Sequence, residues 1–246
     1  MDNSSKLTGE LLYIVPEERS INYLWENNAR KIPKNVQIVS IEDAIENKEC
    51  FFDKSNIELN TIWVKHPYKQ KYIDLIQSEE NIIQSKLDAF GIIVKHLGVK
   101  EFETTYATEV ISEREISVNG EIGYKVLNTN AEVKITNNDT KTAKYYRHEK
   151  FSGNFTEDSY LKAIEQAKLF GLNDDRDIAY LLEVRNPTDN NLLTSRYVTF
   201  ELTEEINKKI DIAFSLSGLN LFKISSKYNE TLKTKKTITI KSNLIF

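Results

Sequence analysis

Between Ile73 and Leu97 the apolar residues recur with the period of a helix. Ile76, Ile83, Phe90 and Leu97 repeat every seven positions, and Ile73, Leu87 and Val94 fall on companion positions, with Glu80 interrupting that second row. Gly98 follows directly, where a left-handed C-terminal cap belongs, and Lys95 and His96 occupy the last turn, near the negative end of the helix dipole. The pattern predicts one long amphipathic helix within residues 70–97. Ile82 and Ile93 widen the stripe, and a wide stripe suits packing on a sheet better than a narrow two-helix seam.

Upstream the apolar runs are short. Leu11–Val15 stops at Pro16 and predicts a buried strand. Ser20 is placed to cap a helix carrying Ile21, Leu24 and Trp25, which must end before Pro33. Val36, Ile38 and Val39 predict a second strand. Ser40 then caps a short helix over Ile41–Asn47, with Asp43 three residues on, as in a capping box. Thr61–Val64 predicts a third strand, closed by His66-Pro67. This alternation predicts an α/β layer over residues 1–98, with some parallel pairing.

After Gly98 the period falls to two. Phe102, Thr104, Tyr106, Thr108 and Val110 alternate with mostly polar residues, and Asn119-Gly120 is a hairpin signal between Ile116-Ser117-Val118 and Ile122, Tyr124 and Val126. The parity changes at Ala131, Val133 and Ile135, so a bulge or turn is expected near residues 128–130. Asn137-Asn138-Asp139 marks another turn, and Lys144–Lys150 a returning strand. Thr156 is placed to cap a helix over Glu157–Phe170, with Tyr160, Ile164 and Ala167 inward and Gly171 beyond its end. Ile178–Val184 and Leu193–Leu202 read as strands. Thr203 caps a helix with Ile206, Ile210, Ala213 and Phe214 on one face, Glu204–Lys208 and Glu205–Lys209 pairs on another, and Gly218 at its end. Leu219–Tyr228 and Leu232–Phe246 read as final strands. The expected fold is α+β: an N-terminal α/β layer with one long helix (1–98), then a mostly antiparallel sheet with two helices (99–246).

Composition narrows the function classes. The chain has 246 residues, 40% hydrophobic and 28% charged, which suffices for a full core and argues against wholesale disorder. The net charge of -4 gives no reason to expect nucleic acid as the main partner. No apolar run approaches a membrane span, and Met1–Lys6 is too polar for a secretory signal. The single cysteine, Cys50, excludes an internal disulfide and points to a reducing, cytoplasmic setting. Abundant Asn, Ile and Lys with few Gly and Pro match the usage of many low-GC bacteria and phages.

Candidate chemistry is sparse. The first strand-to-helix turn, Pro16-Glu17-Glu18-Arg19-Ser20, has no glycine and sets two carboxylates where a phosphate would approach, so it is no phosphate cradle. His66, His96 and His148 show no ligand spacing, and no metal or cofactor is expected. Glu46 and Glu49 near Cys50 disfavour a thiolate. Asp177 lies ahead of an apolar run ending Glu183-Val184-Arg185. That order resembles restriction-type metal nucleases, which place an acid before a strand ending Glu-x-Lys, but with arginine where a tunable lysine belongs.

From Lys223 onward there are six lysines and one acid. Lys233, Lys235 and Lys241 share one parity of the last apolar run, opposite Leu232, Ile238, Ile240, Leu244 and Phe246. They fit a strand protected at a sheet edge, or a surface for an anionic partner, and are the candidate binding residues. The expected function is a non-catalytic interaction or effector protein, a bacterial or phage complex subunit acting through a protein partner or self-association. One alternative is a pore-forming protein that applies hairpins in 101–136 and the basic terminal strand to anionic lipid. Against it, the strands carry charges of both signs, as a solvated sheet face does. The other alternative is a metal-dependent hydrolase using Asp177 and Glu183.

Overall fold

The computed structural model describes residues 7–20, 32–53, 56–116, 122–126, 143–189, 192–201, 203–217 and 222–246. The helix expected to carry Ile21, Leu24 and Trp25, the Asn119-Gly120 turn, the phase change at Ala131 and the Asn137-Asn138-Asp139 turn lie outside the described residues, as does Gly218. The fold is α+β. Two compact units divide the chain: Met1–Ile82, Ile111–Asn128 and Glu204–Lys235 form one, and Ile83–Val110, Thr129–Thr203 and Lys236–Phe246 the other.

The first unit holds a four-stranded sheet in the order β2-β1-β3-β4, formed by β1 (Leu11–Val15), β2 (Val36–Ser40), β3 (Ile62–Lys65) and β4 (Tyr72–Asp74). β1 and β2 are parallel, Leu11 opposite Val36, while β3 runs antiparallel to both β1 and β4. All five β1 side chains are buried, as expected of a central strand covered on both faces. Ser40 Oγ accepts the Asp43 N–H and starts α1 (Ile41–Glu46), and α2 (Lys48–Phe51) follows. Leu12, Ile14, Val39, Ala44, Phe52, Trp63 and Tyr72 form one apolar cluster, with Phe52 edge-on to Trp63 at 5.0 Å.

The long helix, α3, spans Leu75–His96, shorter at its start than the apolar stripe predicts. Tyr72 and Asp74 pair with Lys65 and Trp63 instead, and Asp74 Oδ1 accepts the Ile76 N–H, so the helix begins after that pairing. Ile76 is consequently 42% exposed. α6 (Thr203–Ser217) buries Ile206, Ile210, Ala213 and Phe214 as the sequence predicts. The strand expected over Leu219–Tyr228 is absent from its described part. There Ser226–Tyr228 forms a 3-10 turn leading into α7 (Asn229–Lys233), closed by the Tyr228 N–H on the Ser225 carbonyl.

In the second unit α3 buries Ile83, Leu87, Phe90, Ile93, Val94 and Leu97. These positions serve a core, which decides between the sheet-packing and seam readings of the stripe. Gly98 takes φ +81°, its N–H reaching the Lys95 carbonyl while the Val99 N–H reaches that of Val94, the paired bonds of a Schellman stop. β5 (Glu101–Ile116) bonds β9 (Thr234–Ile245) along one edge, and β7 (Ala143–Lys150) pairs antiparallel with Glu101–Ala107. The far end of β5, Ser112–Ile116, which belongs to the first unit, pairs there with β6 (Ile122–Val126). β8 (Ser195–Glu201) pairs antiparallel with β9 and ends the sheet. Thr156 and Ser159 form a reciprocal capping box at the start of α4 (Glu157–Leu169).

Two expectations fail here. Ile178–Val184 is not a strand but most of α5 (Arg176–Val184). The Asp175 carboxylate accepts the Asp177 and Ile178 N–H groups as an N-cap, and Ile178, Leu181 and Arg185 are buried at helical spacing. A seven-residue apolar run fits either element on pattern alone, and the cap decides it. The basic terminal strand is also no sheet edge, because β9 lies between β5 and β8. Edge protection therefore does not explain Lys241, which lies opposite Thr199 of β8.

Candidate functional site

One face of the second unit's sheet is open along β7 and β8. Side chains alternate between faces, and cross-strand partners share one. Phe102 and Thr104 of β5, Val198 of β8, and Ile240, Ser242 and Leu244 of β9 are buried. Thr104 Oγ1 and Ser242 Oγ lie 2.8 Å apart, and Phe102 meets Phe90 of α3 at 5.6 Å, which fixes the inner face.

The outer face follows from register. On β7 it presents Tyr146, His148 and Lys150, all exposed and opposite Thr105, Glu103 and Glu101 of β5. On β8 it presents Ser195, Tyr197 and Thr199, opposite Ile245, Asn243 and Lys241 of β9. Tyr197 is 81% exposed and Tyr146 60%, large values for aromatic rings. Lys150 Nζ pairs with Glu101 at 3.0 Å, and that hydrogen bond and charge hold the Glu101 carboxyl below its usual range. Local loss of water and then the Glu103 carboxylate raise the Tyr146 hydroxyl. Among the described residues Lys241 has no acidic partner.

Charged groups on the covered side hold elements together. Lys86 Nζ of α3 meets Asp175 Oδ2 at 2.8 Å, Arg147 meets Asp88 at 2.6 Å, and Arg196 meets Asp177 at 3.0 Å while lying 3.9 Å from the Tyr180 ring centre. The Arg185 guanidinium sits 4.4 Å from both the Phe155 and Phe246 ring centres, and burial lowers its pKa. Among the described residues, every fully buried side-chain nitrogen or oxygen has a hydrogen-bond partner.

No protein-family model, no curated protein and no solved structure matches this chain.

The candidate lysines separate. Lys241 stands exposed on the outer face of β9. Lys233 is exposed at the end of α7, not on the strand, so the shared parity that grouped it with Lys241 has no meaning there. Lys235 belongs to β9, and its side chain lies outside the description.

The histidines serve different places. His66 is buried; its Nδ1 accepts the Tyr68 N–H, and burial, then Lys69, lower its pKa to about 4. His96 is lowered by burial, then by Lys95 and Lys162. His148 is exposed on β7. Asp177 and Glu183 sit six positions apart on α5, Asp177 bound to Arg196 and Glu183 exposed. The strand on which a nuclease motif would rest is a helix. Among the described residues no three His, Cys, Asp or Glu side chains group as a metal site would need, and no helix is long and apolar enough to cross a membrane. Cys50 is exposed.

The sequence contained a signal for Tyr197 that the strand assignment passed over. In Ser195–Glu201 the alternation sets Tyr197 and Thr199 opposite Arg196 and Val198, so burial of Val198 sends the tyrosine outward.

A second polar network lies in the first unit. Fully buried Tyr228 places its hydroxyl 3.2 Å from the Ile62 N–H, which it accepts, and 3.3 Å from Asp74 Oδ2. Burial and then Asp74 raise that hydroxyl's pKa. Lys227 bridges Glu58 at 3.1 Å and Asp74 at 3.4 Å. Burial alone would lower Lys227, but its bonds to Glu58 and Asp74 outweigh it and raise the pKa. Asn60 takes φ +60° beside the network, its side chain bonded by Tyr13 and its carbonyl by the Ser225 N–H. These bonds join β4, β3 and the 226–228 turn.

Proposed function

We propose that the protein is a non-catalytic interaction protein that receives a protein partner on the outer sheet face of its second unit. The observation that carries this reading is the exposure of two tyrosines, Tyr146 and Tyr197, on one sheet face where Lys150 and Glu101 are paired with each other. Tyrosines offer large contact area at low entropic cost and are frequent interface anchors. Lys241, without an acidic partner among the described residues, calls for a carboxylate on the partner.

The test is crosslinking of the purified protein to its partner in native-host extract, followed by charge reversal. Lys241→Glu should weaken the captured complex at least tenfold, and reversing the crosslinked carboxylate on the partner should restore it. Leakage of dye from anionic liposomes would instead promote the pore-forming reading. Divalent-metal-dependent nuclease activity lost in Glu183→Gln would promote the hydrolase. A partner bound equally well by Lys241→Glu and Tyr146→Ala proteins would sink the proposed face.

A further inference from the structure

Among the described residues β8 is the outermost strand of its sheet, with one edge unpaired. Its seven residues, Ser195–Glu201, include neither lysine nor proline, the residues that commonly guard an exposed edge. No strand pairs with that edge among the described residues.

The direction of its backbone groups follows from two hydrogen bonds. The Phe246 N–H donates to the Thr194 carbonyl at 2.9 Å, so these opposed residues point toward each other across the β8–β9 ladder. The next pair, Ser195 and Ile245, must then point apart, and the Ile245 carbonyl does turn the other way, accepting the Lys100 N–H at 2.6 Å. By alternation Ser195, Tyr197, Thr199 and Glu201 direct their N–H and C=O groups to the free edge. Aromatic surface flanks that edge above and below: Tyr197 stands 81% exposed on the outer face, and Tyr180, stacked on Arg196, is 43% exposed on the other.

We infer that this edge pairs with a second copy of the chain, β8 against β8, antiparallel about a two-fold axis through Val198. Another backbone matches a row of alternating donors and acceptors as a directional ladder, where unpaired groups are left to water. An identical strand matches it in length and parity. A two-fold at Val198 uses all seven residues and sets Tyr197 opposite Thr199 and Ser195 opposite Glu201, the four positions whose backbone groups point outward, while Val198 faces its own copy and Arg196 faces Phe200 in non-hydrogen-bonded pairs. Tyrosine opposite threonine is a favourable cross-strand pair. The junction forms roughly eight backbone hydrogen bonds and fuses two sheets into one. The area is small, so the association is weak and concentration-dependent. It shares Tyr197 with the proposed partner face but rests on backbone edge groups that Lys241 and Tyr146 do not supply, so Thr199→Pro tests it separately.

Sedimentation velocity over a hundredfold range of concentration, with amide hydrogen exchange on the same samples, tests the inference. The expected result is reversible dimerisation with protection of the Tyr197 and Thr199 amides rising in step. Thr199→Pro removes an outward N–H without touching the β8–β9 ladder and should weaken dimerisation at least tenfold while near-ultraviolet circular dichroism stays native. Should that variant fail to fold, Tyr197→Lys brings like charges together at the junction and should have the same effect. A wild-type chain monomeric throughout overturns the inference. So does a dimer that survives Tyr197→Lys or that gains protection elsewhere but not in β8.

Discussion

Arg185 Nε donates to the carbonyl oxygen of Leu97 at 3.1 Å, and Arg185 Nη1 donates to that of Leu193 at 2.8 Å. One buried guanidinium thus closes the end of α3 and ties it to the segment before β8, with the Phe155 and Phe246 rings on its faces. A planar cation with several donors suits this place, and an ammonium cannot reproduce it. Arg185→Lys is expected to cost about 2 kcal/mol and Arg185→Ala about 3 kcal/mol or more, from lost charge-assisted bonds and ring contacts. Urea unfolding checks both; equal stability of Arg185→Lys and wild type would refute the staple.

Gly98 lies against the same group. A Cβ there would approach Phe155 Cβ to 2.7 Å and Arg185 Nη2 to 3.2 Å, at a φ of +81°. Gly98→Ala should lose about 2 kcal/mol, more than the strain of a left-handed alanine alone. Gly171 has the comparable φ of +66° with nothing within 4 Å of its Cβ position, so Gly171→Ala should lose only the conformational part. Parallel denaturation of the two variants measures the difference.

The Lys86–Asp175 pair predicts a split between charge and cap. Asp175 both binds Lys86 and caps α5. Asparagine still caps, so Asp175→Asn should lose the ion pair alone, and Asp175→Ala about 1 kcal/mol more. In Lys86→Met the Asp175→Asn change should become nearly neutral, a coupling that a double-mutant cycle reads directly.

Burial holds the His66 pKa at about 4, below its ordinary 6.5. The folded state therefore favours the neutral ring. Above pH 6.5 the ring is neutral in both states and the full stability is present. As pH falls from 6.5 to 4 the unfolded chain takes the proton first and stability declines, levelling below 4. After allowance for solvent screening the loss is about 2 kcal/mol. His66→Asn should remove this slope from the pH profile of thermal denaturation while leaving the carboxylate-driven fall at lower pH.

Phe90 has no exposed surface and meets Phe102 edge-on. Phe90→Glu should unfold the second unit, costing about 4 kcal/mol or more for an unpaired carboxylate in place of a packed ring. A folded Phe90→Glu protein with altered association would restore the helix-seam reading of the stripe.

Features decided within a few residues were legible in the chain itself. Ser40 and Thr156 stand at helix starts, Gly98 and Gly171 at left-handed stops, and the period-two rows of β5 and β8 where strands form, because a cap or a pleat depends on near neighbours. Ile178–Val184 is ambiguous because a short apolar run satisfies either period, and the Asp175 carboxylate that caps it as a helix shows its role only in the folded chain. What the tertiary structure alone decided is the order of strands and the company of charges. The terminal strand lies inside the sheet, and β8, not β9, forms the bare edge. Lys233 and Lys241 stand on different elements, and Lys86 finds Asp175 across 89 residues. Such pairings are set by which buried faces meet, a non-local balance of packing and desolvation that no local pattern encodes.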